Sequence, residues 1–271
     1  MTDEPARIFV NSLPKAGTNL VSRAFDLAGF HYDKLGIAGT LVLGNRYIAR
    51  QLLRRSFLER DPVMVGLEVQ MPVRRAWLAH RLARVPAGGY VTGHANWSMG
   101  LEHLLAAKGY RTVLVIRDPR DVLLSHGHYV AASGKHFLNA TYSRLDLAAR
   151  TRLTLDGGRI DGLDVAPFTT MLSRIDGWIG RPGVETIRFE DAVGPAGGGS
   201  LERQRTVFEA LSQFPGRFFD PDLMEAHLYG QSHTFRKGRI GAAQEELDSD
   251  TLALVNAALA PIRKKWGYAD E

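Results

Sequence analysis

The chain has 271 residues, with 34 lysines and arginines against 29 aspartates and glutamates, a formal charge of +5 and no cysteine. The charge favours anionic partners without naming them, and the missing cysteines exclude disulfides, iron–sulfur clusters and thiol nucleophiles. About three quarters of the unfolded surface can be buried at this size, so a single domain over residues 1–271 is expected to fold without staples.

The chain opens Met-Thr-Asp-Glu, with no basic and apolar leader, and no apolar run reaches membrane-spanning length. A cytoplasmic protein without a membrane span is therefore expected. The basic residues are dispersed, and zinc-finger spacing, RNP-like aromatic runs and polybasic tails are absent, so nucleic acid is not an expected partner. Nothing in the composition speaks to oligomeric state.

Residues 8–13 read as a short apolar strand. Pro14 ends it, Gly17 lets the backbone turn, and Leu20, Val21, Ala24, Phe25, Leu27 and Ala28 form a helical apolar face. Thr18 or Asn19 is expected to cap that helix. The intervening loop, Lys15-Ala16-Gly17-Thr18-Asn19, combines unpaired backbone N–H groups, a partial positive charge and a full one from Lys15. Such a loop suits a phosphate or sulfate. It is not a Walker A loop, because Lys15 precedes the single glycine instead of following a second one.

Residues 40–57 carry Arg46, Arg50 and Arg54 at helical spacing, which reads as a solvated face or as a wall for an anionic acceptor. A second arginine-rich helix is expected over 73–85. Strands follow at 89–94, closing on His94, and at 112–117, closing on Arg117. Asp118-Pro119-Arg120-Asp121 is a strong helix start, and that helix should run to about residue 132. Helices are expected over 142–155 and 167–179, separated by the breakers Asp156-Gly157-Gly158, then a strand at 185–189. Further helices are read from about 201, over 220–229 and over 248–265, where Pro261 should kink or interrupt the last one. Apolar strands alternating with helices define an α/β fold, a central parallel β-sheet flanked by helices on both faces.

Arg117 at a strand's carboxyl end and Ser125 two turns into the next helix are spaced to grip one phosphate together, unless Arg117 merely pairs with Asp121 across the helix start. Thr234-Phe235-Arg236-Lys237-Gly238-Arg239-Ile240-Gly241 puts adjacent cations on a glycine-punctuated loop, good material for wrapping a phosphate or an ordinary basic loop. Three segments in this order resemble the sulfotransferases that use 3′-phosphoadenosine 5′-phosphosulfate (PAPS). Pro14-Lys15-Ala16-Gly17-Thr18 is similar to their 5′-phosphosulfate loop, the stretch from Arg117 to Ser125 to their 3′-phosphate motif, and Phe235-Arg236-Lys237-Gly238 to the loop that closes over the donor.

The resemblance implies the P-loop-like sulfotransferase fold, with the donor across the strands' carboxyl ends and sulfuryl transfer to an acceptor hydroxyl of a glycan or small metabolite, releasing adenosine 3′,5′-bisphosphate (PAP). It implies Lys15, Ala16, Gly17, Thr18, Asn19, Arg117, Ser125, Arg236, Lys237 and Gly238 as donor contacts, with no metal. Sulfuryl transfer needs a base to take the acceptor's proton and a cation facing the leaving phosphate. Lys15 is the candidate cation. His94 is the candidate base, since a histidine pKa of about 6.5 suits proton removal at neutral pH and similar sulfotransferases place their catalytic histidine at this strand end. Glu68 is the reserve base. His126 and His128, two apart on a helix, point to different faces and read as helix-surface or phosphate-neighbourhood residues.

Leu20, Thr92, Phe189 and Ala242-Ala243 depart from the cytosolic small-molecule members and suggest a bacterial-type branch. Two other functions remain open at this stage. One is a magnesium-dependent nucleotide kinase or NTPase, which the missing Walker A pattern disfavours. The other is a non-catalytic basic module for nucleic acid or anionic polysaccharide. Acceptor-binding residues are expected within 31–57, at Trp97 and within 135–142.

Overall fold

The computed structural model describes residues 5–39, 62–213, 217–229 and 238–268. Its centre is a five-stranded parallel sheet in the order β2-β5-β1-β6-β9. The strands are β1 (Arg7–Ser12), β2 (His31–Ile37), β5 (Gly89–Gly93), β6 (Tyr110–Ile116) and β9 (Val184–Arg188). Two hairpins lie outside it: β3 (Val63–Val65) with β4 (Met71–Val73), and β7 (Gly158–Ile160) with β8 (Leu163–Val165).

Side chains alternate between the sheet's faces, and both faces are covered, which is why the central strands β1 and β6 carry buried apolar residues on both faces. Ile8 and Val10 of β1 and Val113 and Val115 of β6 pack under α1 (Thr18–Leu27), α9 (Leu201–Ser212) and α10 (Pro221–His227). Phe9, Leu114 and Ile116 face the larger cluster, built with α2 (Arg75–Ala83), α3 (Met99–Ala107), α4 (Pro119–Ala132), α6 (Leu147–Asp156), α7 (Phe168–Asp176) and α12 (Ser249–Lys265). Short helices α5 (Asn139–Tyr142), α8 (Phe189–Ala192) and α11 (Ala242–Glu246) complete the described chain. Fully buried Phe9, Phe25, Phe168 and Phe208 each contribute about 1.5–3 kcal/mol of burial energy.

The four strands expected from sequence are present, and Leu13, His94, Arg117 and Phe189 each stand just beyond a strand's end. Central β1 has β5 on one side and β6 on the other, so successive connections diverge from it. That divergence opens a crevice at the carboxyl ends, where ligands of such sheets bind.

Several expectations are corrected. β2 is a strand that the sequence reading did not anticipate. As an edge strand its outer positions His31, Tyr32 and Lys34 are exposed, which breaks the apolar run. The helix expected over 142–155 is two helices, because Asp146 caps a new one by accepting from the Ala149 amide at 2.8 Å. α12 runs through Pro261 without interruption, since Pro261 and Ala257, whose carbonyl loses its helical donor, lie on the exposed face where water serves. The arginine-rich stretch over 40–57 lies outside the described residues.

Candidate active site

The β1–α1 loop is held in a form that aims donors at the crevice. The Ala16 amide donates to the Leu13 carbonyl at 3.1 Å, closing the turn. Lys15 takes φ 72° and Gly17 φ 115°, both in the left-handed region. A Cβ on Gly17 would also meet Phe189 Cδ2 at 2.7 Å, so only glycine fits. Gly17 is itself the N-cap of α1, and no side chain accepts a hydrogen bond there. The expectation that Thr18 or Asn19 caps the helix is thus corrected: the Thr18 hydroxyl contacts the Ser12 hydroxyl instead. Ala16 differs from its neighbours, with its side chain buried and its N–H used inside the turn.

A cavity of about 360 Å³ opens over this loop, a volume within the range of small-molecule sites. Its lining brings together Lys15, Gly17, Thr18, Asn19, Arg117, Ser125, Gly238 and His94 from four separate segments. Arg236 and Lys237 lie outside the described residues. Lys15 Nζ stands 4.9 Å from the centre of the Tyr129 ring.

Arg117 is buried, with its guanidinium 4.4 Å from the Phe189 ring centre. It donates to the Arg239 carbonyl at 2.7 Å and reaches Asp121 at 3.4 Å, so the pairing across the helix start exists alongside the cavity position. Asp121 in turn accepts from the amides of Gly241 at 2.9 Å and Ala243 at 2.8 Å, tying the segment after residue 238 to the start of α4. Arg117 Nε is buried without a hydrogen-bond partner among the described residues, a donor in hand for an anion. Behind this pole Asp118 caps α4 through the Arg120 amide at 2.9 Å and pairs with Arg120 at 2.9 Å, and its own amide donates to Glu190 at 2.8 Å.

His94 is fixed from both sides. Its amide donates to Ile37 of β2 at 3.0 Å, and the next residue, Ala95, exchanges two hydrogen bonds with the side chain of Asn11 at 2.9 and 3.0 Å. Nδ1 lies 2.9 Å from the Ser12 carbonyl. A carbonyl only accepts, so Nδ1 carries the proton and Nε2 keeps its lone pair. Burial pushes the His94 pKa below its ordinary value. The Ser12 carbonyl and Glu68 oppose that shift, while His126 and Lys15 reinforce it. The ring is therefore neutral at neutral pH, with the Nε2 lone pair able to accept a proton.

Glu68 lines the same cavity from the β3–β4 turn. His126 Nε2 is 2.8 Å from one carboxylate oxygen and His136 Nε2 is 3.7 Å from the other. Burial works to raise the Glu68 carboxyl, but His126, His136 and His94 outweigh it and hold it below the ordinary range. The reading of His126 as a helix-surface or phosphate-neighbourhood residue is corrected, since it is buried against Glu68, while His128 faces elsewhere and pairs with Glu246 at 3.1 Å. Trp97 is not part of the lining: its indole N–H donates to Glu102 at 2.7 Å and Arg181 stacks on its ring. His136 and Phe137, within the stretch expected to meet an acceptor, do line the cavity.

Sequence reasoning missed Asn11, Asp121, Tyr129 and Arg239 as site residues. Asn11 did leave a signal, an amide side chain directly after the apolar run Ile8-Phe9-Val10 of β1, where it is fully buried. Among the described residues no cluster of acidic and imidazole side chains is arranged to hold a metal ion, and no helix is long and apolar enough to cross a membrane.

No family model matches the chain, and the search of curated proteins gives no significant match. Solved structures do match, and they define the class: the chain has the sulfotransferase fold, an α/β P-loop-like sheet with flanking helices. Mouse sulfotransferase SULT7A1 complexed with PAP superposes with a TM-score of 0.59 at 13% identity, covering 97% of this chain and 86% of the other. Retinol dehydratase with androsterone and the inactive cofactor PAP gives 0.58 at 14% identity, over 96% and 81%. The same enzyme with retinol and PAP gives 0.54 at 14%, over 96% and 82%.

Proposed function

We propose that this chain transfers a sulfuryl group from PAPS to a hydroxyl of a small-molecule acceptor and releases PAP. One observation carries the proposal: a single cavity joins the Lys15–Asn19 loop at a helix start, the buried Arg117, whose Nε has no partner among the described residues, and a neutral His94 whose Nε2 keeps its lone pair. Two anion-holding stations, one at the end of β1 and one at the end of the neighbouring β6, suit a donor with phosphates at both ends of its ribose. An NTP would need one station and a magnesium site.

In this reading Lys15, Gly17, Thr18 and Asn19 hold the phosphosulfate, and Arg117, Ser125 and Gly238 hold the 3′-phosphate. Ala16 shapes the turn. Arg236 and Lys237 keep the roles that the resemblance implies. The acceptor oxygen attacks sulfur as its proton passes to His94 Nε2. The bond from sulfur to the bridging phosphate oxygen breaks, and Lys15 meets the charge that grows there. These cations supply the needed charge, so the reading calls for no metal.

The far wall, with Leu67, Glu68, Val69, Tyr129, His136 and Phe137, carries one carboxylate and no lysine or arginine among the described residues. It suits an apolar hydroxy compound that is not itself anionic. We place the reaction in one domain of a cytoplasmic, bacterial-type enzyme, as the sequence suggests. The test is a panel of uncharged phenols and alcohols incubated with PAPS, with PAP and sulfated product read by mass spectrometry. PAP formed only with acceptor supports the proposal, and transfer from magnesium–ATP instead would replace it with the kinase reading.

A further inference from the structure

Two acids line the cavity, and they are placed differently. Asp121 is occupied by Arg117 and by two backbone amides. Glu68 has only imidazoles as ion-pair partners among the described residues: His126 at 2.8 Å and His136 at 3.7 Å. The two rings stand edge to face with centroids 6.2 Å apart. The turn that carries Glu68 is fixed. Its carbonyl accepts from the Ala166 amide at 2.8 Å, Arg174 donates to the Leu67 carbonyl, and Gly66 packs so that a Cβ would lie 2.3 Å from the Val69 carbonyl oxygen.

A buried carboxylate without a full cationic partner is costly, and this one lines the same cavity as the candidate base His94. The Nδ1 of His126 is buried with no partner among the described residues. Glu68 Oε1, 2.8 Å from His126 Nε2, is likewise buried and outside hydrogen-bond geometry among the described residues.

We propose that Glu68 is a positioning residue for His94: with His126 and His136 it forms a buried acid–imidazole cluster whose negative charge stabilises the imidazolium that His94 becomes on taking the acceptor's proton. The proposal rests on the sulfotransferase reading only in making His94 the base. In this proposal Glu68 does not take the acceptor's proton. It supplies charge, and the proton stays on His94 Nε2 until solvent removes it. The groups facing His94 act in two directions: Glu68 from the β3–β4 turn favours its protonated form, whereas His126 from α4 and Lys15 from the β1–α1 loop oppose it. Tyr142 of α5 and His136 also face Glu68.

The test is imidazole NMR of the histidine-labelled full-length protein across pH, with His94 assigned by the signal lost in His94→Gln. In Glu68→Gln the His94 midpoint falls, because the charge that favoured the imidazolium is gone, while Glu68→Asp leaves it near the wild-type position. In turnover, Glu68→Gln lowers kcat/KM by about tenfold and moves its acid limb to lower pH, with PAP binding intact. An unchanged His94 midpoint in a folded Glu68→Gln protein overturns the proposal. A third readout needs no variant: the Glu68 carboxyl carbon of the wild type should shift at the His94 midpoint, and a flat response there also overturns it. PAP binding is scored separately. Normal His94 coupling without PAP binding would sink the donor reading alone, and PAP binding without coupling would sink this proposal alone.

Discussion

At the donor end of the cavity the candidate residues are close neighbours in sequence, Lys15 to Asn19 on one loop and Arg117 to Ser125 on one strand–helix junction. At the far end, Glu68, His126 and His136 come from a hairpin turn, a helix and the loop beyond it, and meet only because the sheet brings those segments together. The first kind of site is made by local backbone geometry, the second by packing. The donor end presents cations and helix N–H groups, while the far end presents a carboxylate among imidazoles and apolar walls. Changes at the donor end should therefore alter donor binding, and changes at the far end should alter proton transfer and acceptor choice.

The largest expected effect lies where the two ends meet. His94→Ala should lower kcat by about 10²–10⁴-fold, read as product formation from PAPS, while PAP still stabilises the variant. Loss of PAP binding in that variant would collapse the distinction between the ends. Asp121→Ala removes the acceptor for the Gly241 and Ala243 amides and strands Arg117. It should cost about 1–3 kcal/mol in urea unfolding and weaken PAP binding, without changing the acid limb of the rate profile.

Gly17→Ala should cost about 1 kcal/mol or more, because φ 115° is unfavourable for alanine and the new Cβ meets Phe189. Its mark should fall on donor KM, since the loop moves and the far wall does not. The smallest effect is in stability against pH. His94 and His136 have folded pKa values below their unfolded value of about 6.5, so the unfolded chain takes up protons first as pH falls. The stability tied to their neutral forms is present above that value and drains away as pH drops through the folded ones. Thermal midpoints should decline on acidification, and less so in His136→Gln.

The same contrast explains what was legible in the sequence. The α/β class, four of the five sheet strands, the cap of α4 and the starts of α9, α10 and α12 were readable because strand alternation and helix-start signals act over a few residues. The loop at Lys15 and the strand-end positions of His94 and Arg117 were readable for the same reason. β2 was missed because its edge position leaves polar side chains outward. The β7–β8 hairpin was passed over as breakers, although Asp161-Gly162, both at positive φ, is the dipeptide that a tight hairpin turn favours. The Glu68 cluster was hidden because no local pattern announces a carboxylate that will meet a histidine on a distant helix. Glu68 was read as a reserve base, and in our proposal it is instead the charge behind His94.

The most direct test of the central claim is thermal stability with and without saturating PAP, beside ADP and magnesium–ATP, on wild type and Arg117→Ala. At one hundred times its dissociation constant PAP should add about 2.7 kcal/mol, a shift of several degrees, and Arg117→Ala should lose that shift. Stabilisation by magnesium–ATP with no response to PAP would contradict the donor assignment and, with it, the sulfotransferase reading.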